Sequence, residues 1–206
     1  LALALVRSKM RKRSGREIKA AGQLGARIQA SLPFKPTHAQ TRSVSEIKAD
    51  MESPNAMLRL LQGDVGSGKT YVALMAMLHA VEAGAQAAML APTEILARQH
   101  GSNLQAMLQD NGIVLEILTG RDKGKKRKAI LERLENGEID ILVGTHALIQ
   151  GDVVFRDLAL AVIDEQHRFG VHQRLMLAAK GEGRLDVLVM TATPIPRTLT
   201  LALYLS

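Results

Sequence analysis

The sequence predicts an α/β fold in which a mostly parallel sheet is covered by helices on both faces. Short runs rich in Val, Ile and Leu alternate along the chain with amphipathic stretches of helical period. These runs are apolar at successive positions rather than at every second one, which is typical of strands that are buried on both sides. With 206 residues, the chain is long enough for one substantial core.

The composition restricts what this core and its sites contain. Hydrophobic residues make up 47% of the chain, yet there are only three Phe, two Tyr and no Trp, so the predicted core is aliphatic. Because cysteine is absent, disulfides and thiolate metal sites are excluded. The six histidines are scattered and show no zinc-site spacing. No apolar stretch approaches the roughly 18 residues of a membrane span.

The predicted elements follow one another in a regular alternation. Residues 1–31 carry basic and apolar side chains at helical spacing, and we interpret them as a basic helical linker of a longer protein, with the chain starting inside a helix. The predicted strands are 59–62, 87–91, 114–119, 139–144, 159–164 and 187–191. The predicted helices between them are 39–52, 70–82, 94–110, 125–136 and 174–179.

A phosphate-binding loop lies between the first of these strands and the next helix. Its glycines allow the tight turn in which backbone N–H groups converge on an anion. Lys69 is expected to reach the β- and γ-phosphates, and Thr70 to offer its hydroxyl to Mg²⁺. A Gly-rich turn that matches by chance is the alternative. The loop reads Gly63-Asp64-Val65-Gly66-Ser67-Gly68-Lys69-Thr70.

Two adjacent carboxylates follow the strand predicted at 159–164. In a parallel sheet, ligands bind beyond the carboxyl ends of the strands. Asp164 is therefore a candidate ligand for Mg²⁺, and Glu165 a candidate for polarising the water that attacks the γ-phosphate. The alternative is a pair of acids that begins a helix, where they favour the macrodipole.

Polar residues also follow other predicted strands. Hydroxyls and helix N-termini at three strand ends are candidates for gripping a phosphodiester backbone. The strand predicted at 187–191 runs into hydroxyls and proline-stiffened backbone, which suit a relay between the nucleotide and another surface. The candidate DNA-binding residues are Thr93, Arg98, Thr119, Gly120, Thr145 and His146, and the candidate coupling residues are Thr191, Thr193 and Arg197.

The net charge of +7 is concentrated in two segments. Residues 1–19 hold seven basic residues against one acid, and residues 121–128 hold six against one. Local basic clusters on an otherwise balanced domain favour a polyanionic partner. A solvated basic face remains the alternative for each cluster.

Taken together, these motifs resemble motifs I, Ia, Ib, II and III of superfamily 2 helicases, and more specifically the RecG-type ATP-dependent DNA helicases. Transcription-repair coupling translocases share much of the pattern, but their box usually reads DEEH, so Gln166 favours the RecG type. The segments that carry the resemblance are 60–70 (LLQGDVGSGKT), 91–100 (APTEILARQH), 144–150 (GTHALIQ), 163–171 (IDEQHRFGV) and 190–198 (MTATPIPRT).

The resemblance implies a RecA-like first motor domain over residues 32–206 that binds ATP and Mg²⁺. It further implies that Gln40 recognises the adenine edge, that Phe34 packs near the base, and that His167 belongs to a network coupling nucleotide to DNA. The implied partner is double-stranded, branched DNA at stalled forks and junctions. We expect a monomer without membrane contact, in the bacterial cytoplasm near the nucleoid.

The resemblance ends just past motif III. The family's second motor domain, which supplies an arginine finger, and its oligonucleotide-binding wedge domain are not in this sequence. We therefore expect the isolated chain to bind nucleotide weakly and to unwind little or nothing. A nucleotide-switched DNA-binding module without productive turnover is the alternative from another functional class.

Overall fold

A computed structural model of the chain describes residues 3–7, 15–109, 111–165 and 184–192, with the backbone alone for 3–7 and Glu165. Helices and strands alternate along most of this length. The strands are β1 (Leu3–Arg7), β2 (Leu58–Gly63), β3 (Gln86–Leu90), β4 (Leu115–Leu118), β5 (Ile141–Gly144), β6 (Leu158–Glu165) and β7 (Asp186–Thr191). The helices are α1 (Gln23–Ser31), α2 (His38–Met51), α3 (Lys69–Glu82), α4 (Glu94–Leu108) and α5 (Gly124–Glu135), with a 3₁₀ turn at His146–Ile149.

The strands form one sheet in the order β1-β2-β7-β6-β3-β5-β4. β2 to β7 are mutually parallel, and only β1 pairs antiparallel, with β2. The predicted mostly parallel α/β sheet is therefore confirmed. All six predicted strands are present, and their carboxyl ends lie along one edge of the sheet.

The sheet separates two hydrophobic cores, because successive residues of each parallel strand face opposite sides. In β3, Ala87 and Met89 pack into the core that α1 to α4 cover, while Ala88 and Leu90 pack into the core that α5 covers. Helices on both faces were predicted and are found. This double covering explains why the strands read as continuous apolar runs.

The N-terminal segment differs from the prediction. A continuous basic helical linker over 1–31 is wrong, because Leu3–Arg7 forms an edge strand and α1 begins only at Gln23. The edge of β2 offers residues 3–7 an unpaired row of backbone N–H and C=O groups. Satisfying that row by strand pairing outweighs the helical pattern of the local sequence.

Helix α1 is tied to helix α3 by one carboxylate. Glu82, at the end of α3, accepts hydrogen bonds from the backbone N–H groups of Gly22, Gln23 and Leu24 at 2.8–3.3 Å. These are N–H groups that the first turn of a helix leaves without an internal partner. The helix predicted at 174–179 lies outside the described residues. Within the described ranges, no helix is long and apolar enough to cross a membrane.

Candidate nucleotide-binding site

The phosphate-binding loop links the carboxyl end of β2 to the first residue of α3. Gly66 and Gly68 adopt φ of 80° and 81°, a region that side-chain-bearing residues rarely enter. Gly68 precedes α3 and offers it no side-chain cap, so the first N–H groups of the helix are left for another acceptor. The loop therefore has the backbone that an anion site at a helix N-terminus requires.

The Lys69 side chain folds back onto the first two residues of the phosphate-binding loop. Its ammonium donates to the carbonyl oxygens of Gly63 at 2.5 Å and Asp64 at 2.9 Å. Partial burial lowers the pKa of Lys69, while the carboxylates of Asp164 and Asp64 act in the opposite direction. A phosphate that entered the loop would give this ammonium a charged partner in place of two carbonyl groups.

Gln40 connects helix α2 to the phosphate-binding loop. Its side-chain oxygen accepts from the backbone N–H of Thr37 at 2.8 Å, completing the capping box that begins α2. Its amide nitrogen donates to the carbonyl of Ser67 at 2.9 Å. A Cβ at Gly68 would lie 2.0 Å from that nitrogen, so a side chain there would displace the Gln40 amide. The predicted contact of Gln40 with adenine stays a prediction.

Phe34 lies beside the first turn of α3. Its ring meets that of Tyr71 edge to face, with centroids 5.8 Å apart and planes at 78°. The Tyr71 hydroxyl donates to Gln29 at 2.8 Å, and burial raises the pKa of that hydroxyl. Phe34 is 43% exposed. An apolar ring surface is therefore available next to the loop, as a base-packing role requires.

Strand β6, which carries Asp164 and Glu165, is separated by one strand from β2, which leads into the phosphate-binding loop. Strand β7 runs between β2 and β6, and its Thr191 is opposite Gln62 of β2 on one side and Glu165 of β6 on the other. Thr191 is buried at the end of β7. The predicted coupling residue thus stands between the phosphate loop and the predicted catalytic acid.

The Asp164 carboxylate, at the end of strand β6, contacts a histidine from helix α4. Nε2 of His100, on α4, is 2.6 Å from Oδ2 of Asp164. The side chains are 13% and 17% exposed, respectively. No role was assigned to His100 from the sequence. The available signal was helical spacing, since His100 comes three residues after the fully buried Ala97 and so shares the inward face of α4.

The residues present fit a magnesium nucleotide. Gly66 and Gly68 leave the loop open to phosphate oxygens, and the hydroxyl oxygen of Ser67 is buried without a hydrogen-bond partner. Within the described ranges, no group of three or more His, Cys, Asp or Glu residues is placed to hold a metal alone. A cation here would rely on one carboxylate, the half-buried Thr70 hydroxyl, phosphate oxygens and water, which is how Mg²⁺ is commonly bound.

The predicted DNA-binding residues lie at the ends of three neighbouring strands, β3, β5 and β4. Thr93 and Arg98 are exposed on α4, and Gly120 and His146 are exposed on adjacent loops. All three predicted threonine contacts have their hydroxyls in use inside the protein. Thr93, at the N-cap of α4, accepts from the backbone N–H of Leu96 at 3.2 Å. Thr119 is fully buried and donates to Asp122 at 3.1 Å, and buried Thr145 accepts from the N–H of Ala147 at 3.5 Å. Direct DNA contact by these side chains stays a prediction.

The basic cluster at 121–128 is partly neutralised by neighbouring acids. Arg121 pairs with Glu94, Lys126 with Asp122, Arg127 with Asp152 and Lys128 with Glu132. Burial acts to raise the pKa of Asp122, but hydrogen bonds from Lys126 and Thr119 outweigh it and hold that pKa below its ordinary value. Among the described residues, Lys123 and Lys125 are exposed and have no acidic partner.

Three predicted site residues fall outside the described part of the chain. They are His167, Thr193 and Arg197.

Known proteins share the sequence and the fold of this chain. A family model described as DEAD/DEAH box helicase matches residues 37–201. The ATP-dependent DNA helicase RecG of Haemophilus influenzae is 54% identical over 88% of this chain and 27% of its own length, and that of Bacillus subtilis is 56% identical over 86% and 26%. The chain thus spans about a quarter of the length of these relatives.

Solved structures show the same fold. A structure of RecG bound to a three-way DNA junction matches with a TM-score of 0.82 and 47% identity, covering 93% of this chain and 25% of that one. Dbp5 of S. cerevisiae bound to RNA and ADP BeF3 matches with a TM-score of 0.65 and 20% identity, over 90% of this chain and 48% of that one. The latter likeness concerns the fold alone. The RecG-type resemblance and the RecA-like fold read from the sequence are both confirmed.

Proposed function

Because this chain belongs to the DEAD/DEAH box helicase family, we propose that it is the ATP-binding first motor domain of a RecG-type DNA helicase-translocase. Membership of the family implies the use of ATP. The proposed reaction is hydrolysis of ATP, and the proposed work is movement along double-stranded, branched DNA at stalled forks and junctions.

One observation carries this proposal. Strand β2, which leads into the phosphate-binding loop, and strand β6, which ends in Asp164 and Glu165, both pair with β7, whose Thr191 is opposite Gln62 on one side and Glu165 on the other. This arrangement supports a site in which the loop would bind the triphosphate and the two carboxylates would serve in-line attack on the γ-phosphate.

Each residue of the site has a role in this reaction. Lys69 holds the β- and γ-phosphates, while backbone N–H groups at the start of α3 bind phosphate oxygens. Thr70 and Asp164 would hold Mg²⁺, which when bound neutralises developing charge on the phosphates. Glu165 polarises the attacking water. Phe34 would pack near the base, and Gln40 would recognise the adenine edge.

The proposed DNA surface is the edge formed by the ends of β3, β5 and β4. Exposed Thr93, Arg98, Gly120 and His146 lie along it, and Lys123 and Lys125 extend it with unpaired positive charge. The RecG structure bound to a three-way junction supports DNA as the partner. Backbone contacts of this kind position a protein on DNA without reading its sequence.

The proposed motor also uses parts outside these 206 residues, since the chain spans about a quarter of the length of its relatives. We propose that a second motor domain with an arginine finger and a wedge domain act in cis with it, in a monomeric protein of the bacterial cytoplasm near the nucleoid. The arginine finger is worth about 10³–10⁵ in rate in related phosphoryl transfer. The isolated chain therefore binds nucleotide weakly and unwinds little or no DNA.

The test is strand separation by the complete gene product that contains this chain. With ATP and Mg²⁺ it should unwind a three-way junction faster than a linear duplex of equal length. Lys69→Ala should remove that activity, whereas Lys35→Ala, which changes a lysine outside the loop, should not. ATP binding with no effect of DNA on turnover would instead identify a nucleotide-switched binding module. Robust unwinding by the isolated 206-residue chain would contradict the need for further domains.

A further inference from the structure

The bond between His100 and Asp164 joins two motifs that are 64 residues apart in the sequence. With Nε2 of His100 as the donor, this bond occupies Oδ2 of Asp164 at 2.6 Å. Nδ1 of the same ring is buried with no hydrogen-bond partner in the described part of the chain. The ring is therefore held at one end by this carboxylate and is surrounded by protein at the other.

This bond uses one of the two carboxylate oxygens and leaves the second. Ligating carboxylates in metal sites are commonly fixed by a further hydrogen bond from a neighbouring residue, which sets the direction of the remaining lone pairs. His100 is in the position of such a neighbour. Its partial burial, with the side chain 13% exposed, keeps water from replacing it as the donor.

Helix α4 holds the His100 ring firmly. Gly101, the next residue, packs so closely on Ile117 that an added Cβ would lie 2.3 Å from the Cδ1 atom of that isoleucine. Ala97 and Leu104, one turn before and one turn after, are fully buried. On the opposite face, Arg98 is exposed at the proposed DNA surface. The same helix therefore carries a candidate DNA contact outside and the donor to Asp164 inside.

We propose that His100 is a positioning residue, which orients the Asp164 carboxylate for the divalent cation of the bound nucleotide and links that carboxylate to the DNA-facing helix α4. This inference rests on the proposed function, because it requires Asp164 to serve a magnesium nucleotide. His100 itself contacts neither the nucleotide nor the reacting atoms.

The experiment measures how much Mg²⁺ strengthens ADP binding to the complete gene product. A fluorescent ADP is titrated with Mg²⁺ and again with excess EDTA, and the ratio of the two affinities is the magnesium gain. Loss of an outer hydrogen bond to a metal ligand typically costs 10–100-fold in metal affinity. His100→Ala should therefore reduce the magnesium gain about tenfold or more, with unchanged affinity for metal-free ADP.

Two further variants separate positioning from a general loss of structure. His100→Gln keeps an N–H donor of similar reach and should restore most of the magnesium gain. Gln99→Ala, at the exposed neighbour on the same helix, should behave as wild type. Equal weakening of ADP binding by His100→Ala with and without Mg²⁺, together with a lower melting temperature, would show a purely structural role and overturn the proposal.

The outcomes also distinguish this inference from the proposed function. A wild-type magnesium gain that His100→Ala leaves unchanged overturns the positioning role alone, and the ATPase assignment stands. A wild-type protein that gains nothing from Mg²⁺ overturns both.

Discussion

Gln40 donates its side-chain amide to the backbone carbonyl of Ser67 at 2.9 Å, so the start of helix α2 and the phosphate-binding loop share one side chain. The oxygen of the same amide accepts from the N–H of Thr37 at 2.8 Å. The oxygen and the nitrogen of the Gln40 amide therefore have different roles. One end caps a helix, and the other holds the loop in place.

These two contributions are separable by substitution. Gln40→Glu keeps an acceptor for the Thr37 N–H but sets a carboxylate against the Ser67 carbonyl, so we expect ADP affinity to fall severalfold with little loss of stability. Gln40→Ala also removes half of the capping box, which costs about 1 kcal/mol. ADP titration and urea unfolding measure the two effects. Wild-type ADP affinity in Gln40→Glu would contradict the role of this bond in the loop.

Gly68→Ala should disable the phosphate-binding loop. The residue has φ of 81°, and its Cβ would lie 2.0 Å from the Gln40 amide nitrogen, so both the backbone and the α2 contact must change. We expect ADP affinity to fall at least about tenfold, which is about 1.4 kcal/mol. Gly84→Ala is the matched control, because Gly84 also has φ of 81° but open space around it. It should lose stability without losing ADP binding, and equal ADP binding by both variants would refute this account of the loop.

Gly101→Ala tests the packing of helix α4 against the sheet. The new Cβ would lie 2.3 Å from Cδ1 of Ile117, and overpacking of this kind typically costs about 1–3 kcal/mol. Gly151→Ala, which has nothing within 4 Å of its Cβ, should change the free energy of unfolding little. Urea unfolding compares the two variants. Similar stability in both would mean that Ile117 yields easily and that α4 is not fixed by this contact.

Asp186 should make the protein less stable as the pH rises. Burial raises its pKa to about 8; the hydrogen bond from the Met57 N–H opposes this rise, and Asp50 adds to it. Below about pH 4 the group is protonated in both the folded and the unfolded state, so it costs nothing there. Between about pH 4 and pH 8 the unfolded state ionises first, and the folded state loses up to about 1.4 kcal/mol per pH unit.

Asp186→Asn should remove this pH dependence, because an amide keeps the acceptor for Met57 and does not ionise. Urea unfolding of wild type and variant between about pH 5 and pH 8 is the measurement. The variant should be relatively more stable at the alkaline end. Parallel stability curves would show that Asp186 keeps an ordinary pKa in the folded state.

Local features of the fold and site were readable from the sequence, and long-range ones were not. The phosphate-binding loop needs only eight consecutive residues, and its glycines take the backbone that the motif predicts. The apolar runs predicted all six parallel strands, because a strand that is buried on both faces is apolar at successive positions. Strand β1 was missed, since its pairing with β2 depends on an unpaired sheet edge more than 50 residues away.

The same reason explains the missed and altered roles within the site. The bond from His100 to Asp164 spans 64 residues and depends on how α4 is rotated against β6. Thr119 follows its strand as a DNA-contacting hydroxyl should, yet Asp122, three residues later, turns back and uses that hydroxyl. Neither contact follows from residue type or spacing alone.

The central claim is that the edge of the sheet at β2 and β6 forms half of an ATPase site. The most direct measurement is the steady-state rate of ATP hydrolysis by the complete gene product, with and without three-way junction DNA, for wild type and Glu165→Gln. We expect DNA to stimulate the wild type strongly, and the variant to bind ATP with normal affinity but to hydrolyse it at least about 100-fold more slowly, within the usual contribution of a general base. Hydrolysis by Glu165→Gln at the wild-type rate, or a wild type indifferent to DNA, would contradict the account.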